Sequence, residues 1–405
     1  MATMTEQKSL SAELKDRNDA CILNTYGARK LALARGEGAK VWDIEGREYL
    51  DFFSGIAVTG LGHAHPAVTE AIREQAGKLL HVSNLYYIEP QVELAELLCE
   101  HTFADRWFFC NSGAEANEAA IKLARRYWTQ QGTPKPGIVT AEQGFHGRTL
   151  AAVTATAQPK YHAGFAPMPG GFAYVPYNDL AALEAAITPE TGAILIEPVQ
   201  GEGGVNVGAP GYLKSVRALC DKHNVLLILD EVQSGNGRTG RLYAHEHEGV
   251  APDIMTTAKG LGNGVPIGAL GCTEEVSSGF EPGSHGCTFG GNPLSAAAAL
   301  ATMRELTKPG LLGHVRETGS YFAEQLRAFA SAHDCVREVR ALGLMLGVEF
   351  TGKVAPLVQE LQDAGFLCGG AGPNTLRLLP PLIIEKKHID KFMAVLPACV
   401  GNVTW

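Results

Sequence analysis

Apolar residues in this chain fall into two recurring patterns, short unbroken runs and helical stripes, and the two alternate. The clearest run is VLLIL at 225–229, apolar at every position and closed by Asp230 and Glu231. A run of that length without alternation suits a strand covered on both faces of a parallel sheet. RWFFC from Arg106, GIVTA from Gly137, AILIEPV from Ala193 and DIMTTA from Asp253 read the same way. Helical stripes follow Ser112, cover DLAALEAAI and fill PGYLKSVRALCDKH. Strand and helix thus alternate from about residue 106 to 272, the pattern of a doubly wound sheet. Upstream, an amphipathic helix begins near Pro66, a residue favoured in the first helical turn. LAELLCEHT is a second helix, the aromatic segment HVSNLYYIEP between them a loop, and Ala157 to Pro176 a long Pro/Gly-rich loop.

The ends of the chain read differently. Residues 31–53 form a small antiparallel meander with a turn at Asp43–Gly46. A helix opens after Asn292-Pro293. Beyond it come a helix near 311–333, strands over VREVRALGLMLGVEF, a helix over APLVQELQDAG, the run NTLRLLPPLI and a last helix. The expected fold is α/β: a large, mostly parallel doubly wound domain at 66–305, with a smaller α+β domain built from 1–65 and 306–405. A length of 405 residues suits that division.

Composition narrows the partners. The formal charge is −9 without a basic cluster, which argues against nucleic acid or an anionic membrane. The first twenty residues are polar and carry no signal-peptide core, so a cytoplasmic location is expected. Nine cysteines are scattered without a CxxC pair. A disulfide framework or structural metal is therefore not expected, and most should be buried thiols.

Candidate chemistry gathers at one sheet edge. Asp230 ends its strand where open α/β sheets hold ligands. Ser112 and Glu115 have capping-box spacing, so a helix N-terminus at Gly113 and Ala114 faces the same edge, ready for a phosphate. Lys259, in TTAKGLGNG, follows another strand and is boxed in by glycines; on spacing alone it reads as readily as a solvated surface lysine. Together these parts meet the needs of a pyridoxal phosphate site. A seat for phosphate is present, Lys259 is an amine for the aldehyde, Asp230 is an acid to keep the ring nitrogen protonated, and Phe145 could stack on the ring.

Ten stretches carry a specific resemblance: NTYGARKLALARGEG, SGIAVTGLGHAHP, LHVSNLYY, FFCNSGAEANEAAIKLAR, FHGRTLAA, EPVQGEGGV, LDEVQSGNGRTG, AKGLGNGVPIGA, HGCTFGGNPL and LRLLPPLI. In order and over nearly the whole chain, they resemble the class III pyridoxal-phosphate aminotransferases of fold type I, and among these the acetylornithine aminotransferases most. The resemblance implies that Lys259 binds the aldehyde and shuttles the substrate proton. It further implies that Asp230 pairs with the ring nitrogen, Gln233 holds the ring-oxygen region, and Gly113 and Ala114 take the phosphate. Thr288 would reach the phosphate of a second copy, making a homodimer with shared sites. Cys287 stands where the family usually has Ser or Thr, and a thiol is the weaker donor, which bears on the substrate contacts the resemblance implies at this position. Tyr26 lies near the substrate on the same resemblance, and His146 is expected to be structural.

The implied reaction moves the δ-amine of N2-acetyl-L-ornithine to 2-oxoglutarate by a ping-pong route, in arginine metabolism. Its reacting carbon lies four bonds from the carboxylate carbon; in glutamate the α-carbon lies three bonds from the distal one. One arginine can therefore serve both, and Arg148 suits it. Glutamate's second carboxylate needs another cation, Arg377, which Glu202 would neutralise when it is not needed. Succinylornithine, ornithine, 4-aminobutyrate or succinyldiaminopimelate remain open as donors, as does an aminomutase.

Overall fold

A computed structural model describes residues 9–27 and 29–405; Met1–Lys8, part of the polar leader considered above, and Ala28 lie outside the described residues. The apolar runs assemble into one seven-stranded sheet. Its spatial order is Arg106–Cys110, Gly268–Cys272, Ile254–Thr257, Leu226–Asp230, Thr191–Ile196, Gly137–Ala141, Phe172–Val175. Only Gly268–Cys272 runs antiparallel to its neighbours; the other pairings are parallel. Leu226–Asp230 lies in the middle and is buried at every residue, as an unalternating apolar run requires.

The edge strand Phe172–Val175 corrects one expectation, because it lies inside the segment read as a long loop. Its four residues FAYV are too short and too exposed to show a period, and only pairing with Ile138–Ala141 makes them a strand. A second difference is the helix Leu10–Cys21, which buries no residue and so carries no apolar stripe by which to be found.

Gly113–Gln130 is the helix that matters most for the site. Ser112 Oγ accepts from the Glu115 amide at 3.2 Å, while the Glu115 carboxylate accepts from the Asn111 amide at 2.7 Å. The buried face, including Ala116, Ala119, Ala120 and Ala124, is small enough to bring the helix close to the sheet. Asn117 on that face reaches the strand ends beneath it.

The strands Leu33–Glu37, Lys40–Asp43 and Glu48–Asp51 form the expected meander, and Phe366–Leu367 joins it in parallel. A further sheet orders Val336–Leu342, Met345–Phe350, Thr375–Leu378 and Gly369–Ala371. Its hairpin turns at Gly343, with φ +57° and a Cβ that would lie 2.4 Å from the Thr239 backbone, so glycine is required there. Phe52 joins the two ends of the chain, packing on Phe322, Phe366 and Phe392 with centroids 5.8, 5.8 and 4.9 Å away. Of the nine cysteines four are buried and none is disulfide-bonded, so fewer are sequestered than expected. Among the described residues no helix is long and apolar enough to cross a membrane, and no group of side chains could hold a metal ion.

Candidate active site

The parallel strands open their carboxyl ends at one edge, and a cavity of about 430 Å3 lies there, within the range of small-molecule sites. Five of them deliver their following residues to the wall. Asn111–Ala114 follow the first strand, Phe145–Arg148 the Gly137 strand and Glu197 the Thr191 strand. Asp230, Val232 and Gln233 end the central strand, and Lys259 follows the Ile254 strand. The antiparallel strand begins at this edge and adds Val265–Ile267, with Val58 from the meander side.

The helix N-terminus is open to this cavity. Ser112 Oγ satisfies one of its first amides; those of Gly113 and Ala114 have no intrahelical acceptor and carry the positive end of the dipole. Gly113 is needed because a Cβ would lie 2.7 Å from Val232 Cγ1.

Asp230 is 3% exposed. Its Oδ2 accepts from Asn117 Nδ2 at 2.7 Å and pairs with His146 Nδ1 at 2.8 Å, and its Oδ1 accepts from the Val232 amide at 3.0 Å. Asn117 is itself fixed, donating to the His146 carbonyl and accepting from Thr256 Oγ1, each at 2.8 Å. Asp230 is thereby held from three elements and aimed into the cavity.

Lys259 has φ +44°, a left-handed backbone that a non-glycine residue adopts at a cost of about 1–3 kcal/mol. Its amine makes no hydrogen bond or ion pair among the described residues. Burial lowers its proton affinity most, Arg377 lowers it further, and Glu202, Asp230 and Glu197 oppose both. The balance leaves the amine's proton affinity below that of an ordinary lysine.

Two arginines differ in state. Arg148 is exposed at the cavity wall, its guanidinium 3.9 Å over the Tyr161 ring and 5.7 Å from that of Phe145, with no carboxylate partner among the described residues. Arg377 is 2% exposed. Its Nη1 donates to Glu202 Oε1 at 2.5 Å and to Gln233 Oε1 at 3.1 Å. Burial raises the Glu202 carboxyl, but the charge and hydrogen bond of Arg377 outweigh it and hold Glu202 below its ordinary value.

Of the residues singled out from the sequence, Gly113, Ala114, Phe145, Arg148, Asp230, Gln233 and Lys259 line one cavity. Glu202 and Arg377 stand just behind Gln233. Cys287 and Thr288 are not in that wall; they line a neighbouring hollow with Glu115 and His285, where Cys287 Sγ accepts from Asn111 Nδ2 at 3.1 Å. Tyr26 is 81% exposed, also outside the wall, with Arg29 5.5 Å from its ring. Asn117 and Glu197 were not singled out. Asn117 lies one helical turn beyond the Gly113–Ala114 seat, a spacing that could have pointed to it; Glu197 ends an apolar strand much as Asp230 does.

This edge-of-sheet arrangement is that of fold-type I enzymes that work with pyridoxal phosphate. The chain belongs to the class III aminotransferases: the model of that family, described as aminotransferase class-III, matches residues 24–400. It is 50% identical over 384 residues to the acetylornithine aminotransferase of Caldanaerobacter subterraneus subsp. tengcongensis, covering 94% of this chain and 98% of the relative. The ornithine aminotransferase of Toxoplasma gondii superposes with a TM-score of 0.94 at 33% identity, over 98% of this chain and 96% of that one. The N-acetylornithine aminotransferase of Stenotrophomonas maltophilia does so at 0.81 and 39%, over 93% and 97%. Class III aminotransferases depend on pyridoxal phosphate, and the wall fits it. The two amides at Gly113 and Ala114 would suit its phosphate, the buried Asp230 carboxylate its ring nitrogen and the Lys259 amine its aldehyde, and no Cβ at Gly113 crowds the seat.

Proposed function

We propose that this aminotransferase moves the δ-amino group of N2-acetyl-L-ornithine to 2-oxoglutarate, giving N-acetyl-L-glutamate 5-semialdehyde and L-glutamate. The observation that carries the reading is the pair of arginines in opposite states beside one lysine, together with the level of identity to acetylornithine aminotransferases. N-acetylornithine presents one carboxylate, far from its reacting amine, and Arg148 is the free cation to grip it. No carboxylate adjoins its reacting carbon, and Arg377 is correspondingly neutralised by Glu202. When glutamate binds, its α-carboxylate takes the place of Glu202 on Arg377 while its distal carboxylate uses Arg148.

Bound pyridoxal phosphate supplies an aldehyde to carry the amino group and a ring to draw electrons from the substrate carbon. This chain's residues do the rest. Gly113 and Ala114 would hold the phosphate with their amides, and Phe145 and Gln233 would hold the ring. Asp230 keeps a proton on the ring nitrogen through a charge-assisted hydrogen bond. Lys259 Nζ, unprotonated part of the time, would take the proton from the substrate carbon and deliver it to the cofactor's aldehyde carbon.

We read the working unit as a cytoplasmic homodimer. Leu85, Tyr86, Tyr87 and Phe289 are large apolar side chains left exposed. Asn84 ties their two segments together, donating to the carbonyls of Cys287 and Gly290 at 3.1 and 3.0 Å. Such a surface suits a subunit contact, through which Thr288 and Tyr26 would reach the site of a second copy, with Cys287 close to substrate. We also read two domains, 66–305 and the discontinuous 1–65 with 306–405.

The test compares half-reaction rates with N-acetylornithine, N-succinylornithine, ornithine, 4-aminobutyrate and N-succinyldiaminopimelate, followed through the cofactor's absorbance. N-acetylornithine is expected to give the highest kcat/KM, with continued turnover only when 2-oxoglutarate is present. A higher value with ornithine, or turnover without an oxo acid, refutes the assignment.

A further inference from the structure

Glu197 is a carboxylate in the cavity wall, 5% exposed, with no cation paired to it among the described residues. It accepts only two backbone hydrogen bonds, from the Phe145 amide at 3.1 Å and the Gly201 amide at 3.3 Å. A buried carboxylate so lightly held is costly unless it finds a proton or a positive neighbour. His146 offers both. Its Nδ1 is engaged by Asp230, and its Nε2 is buried without a partner. A Cβ at Gly144 would lie 3.2 Å from that Nε2 and 3.8 Å from Glu197 Oε2. The Ala141 carbonyl oxygen is 2.9 Å from the same point, so only a glycine fits where the unpartnered Nε2 and the Glu197 carboxylate come together.

We propose that Glu197 is a proton-holding positioning residue, sharing one proton with His146 Nε2 beside Gly144 and so setting the charge with which Asp230 meets the ring nitrogen. This deepens the reading of the cavity given above and rests on it. The transfer moves one proton and no electrons: the imidazolium gives its Nε2 proton to Glu197 Oε2, and the return reverses it. Asp230 keeps the Nδ1 bond in either state.

The surroundings suit such sharing. Burial lifts the Glu197 carboxyl to about 7, with Asp230's charge adding and that of His146 opposing. Burial pulls the His146 imidazole down, but the hydrogen bond and charge of Asp230, with Glu197 behind them, leave it above its ordinary value. The two groups then exchange charge as an interacting pair. The other titratable groups facing them are Lys259, whose amine Glu197 helps to keep protonated, and Tyr177, which burial keeps a neutral phenol.

The experiment is a titration of the holoenzyme by histidine ring 15N resonances, with His146 assigned by its absence in His146→Gln. In Glu197→Gln, which keeps the shape and loses the charge, the His146 midpoint should shift downward, and Glu197→Asp should bring it back toward the wild-type value. The pH at which the bound cofactor's absorbance changes should fall in Glu197→Gln as well. A His146 midpoint unchanged in Glu197→Gln overturns the proposal, including when that variant merely melts earlier or loses cofactor. If the wild-type absorbance does not respond to N-acetylornithine, the substrate reading has failed, and the histidine titration still decides the role of Glu197.

Discussion

Replacing Glu202 by Gln should turn an acyl-ornithine enzyme toward glutamate, at a measurable cost in stability. Arg377 is 2% exposed, and its Nε has no partner even in the intact protein. After the substitution it keeps Gln233 Oε1 at 3.1 Å and the Phe53 ring at 5.4 Å, but no counter-charge. Orphaning a fully buried charge costs ~3–5 kcal/mol. Here the Glu202 side chain is 24% exposed, so water reaches the pair, and about 2 kcal/mol is the better expectation. The sign with pH follows from the lowered Glu202 carboxyl. Its stabilisation is fully present above the ordinary value of 4.5 and is lost as pH falls through the lower folded value. The melting difference between wild type and Glu202→Gln should therefore narrow only in acid. For activity, a released guanidinium gains a charged hydrogen bond to the α-carboxylate of glutamate, worth ~1.5–3 kcal/mol. This is about a ten- to hundredfold rise in kcat/KM for glutamate. N-acetylornithine has no such carboxylate to gain from, and its ammonium now meets an unscreened positive charge, so its rate should fall. Stopped-flow half-reactions with each donor separate the two effects. If both donors lose rate by the same factor, Arg377 and Glu202 are a structural pair and the gate does not exist.

Three further outcomes are expected. Lys259→Met should abolish turnover and the covalent retention of cofactor after borohydride reduction, while wild-type peptide mapping finds the label on Lys259. The ligand-free variant should also melt later, because a buried amine whose proton affinity burial depresses is no longer carried. Arg148→Gln should raise KM for N-acetylornithine and for 2-oxoglutarate together, each by about ten- to hundredfold from one lost charged contact, with cofactor binding intact by equilibrium dialysis. Gly113→Ala should weaken cofactor binding by about tenfold or more, since its Cβ forces Val232 away from 2.7 Å at a cost of ~1–3 kcal/mol. Unchanged cofactor affinity would remove Gly113 from the phosphate seat.

Much of the fold was legible because the relevant signals are local. VLLIL has no polar residue to place on a solvent face, so it lies mid-sheet with Asp230 at its end. Ser112 and Glu115 cap a helix within four residues of chain, and the helix starts at Gly113 as that spacing requires. Phe172–Val175 was not legible, since an exposed four-residue edge strand owes its state to the neighbour it pairs with. Lys259 was ambiguous by spacing and was singled out by its match to a family motif; its left-handed backbone and missing partner became visible only in three dimensions.

Sequence by itself determined the alternation of strands and helices, the position of the helix start, and the residue types available at the sheet edge. All of these depend on interactions among residues a few positions apart. Tertiary structure decided which charges meet. Asp230 acquires Asn117 and His146, Arg377 acquires Glu202, and Arg148 is left without a carboxylate. These partners lie far apart along the chain, and electrostatic energy depends on distance through space and on burial, neither of which a linear pattern encodes.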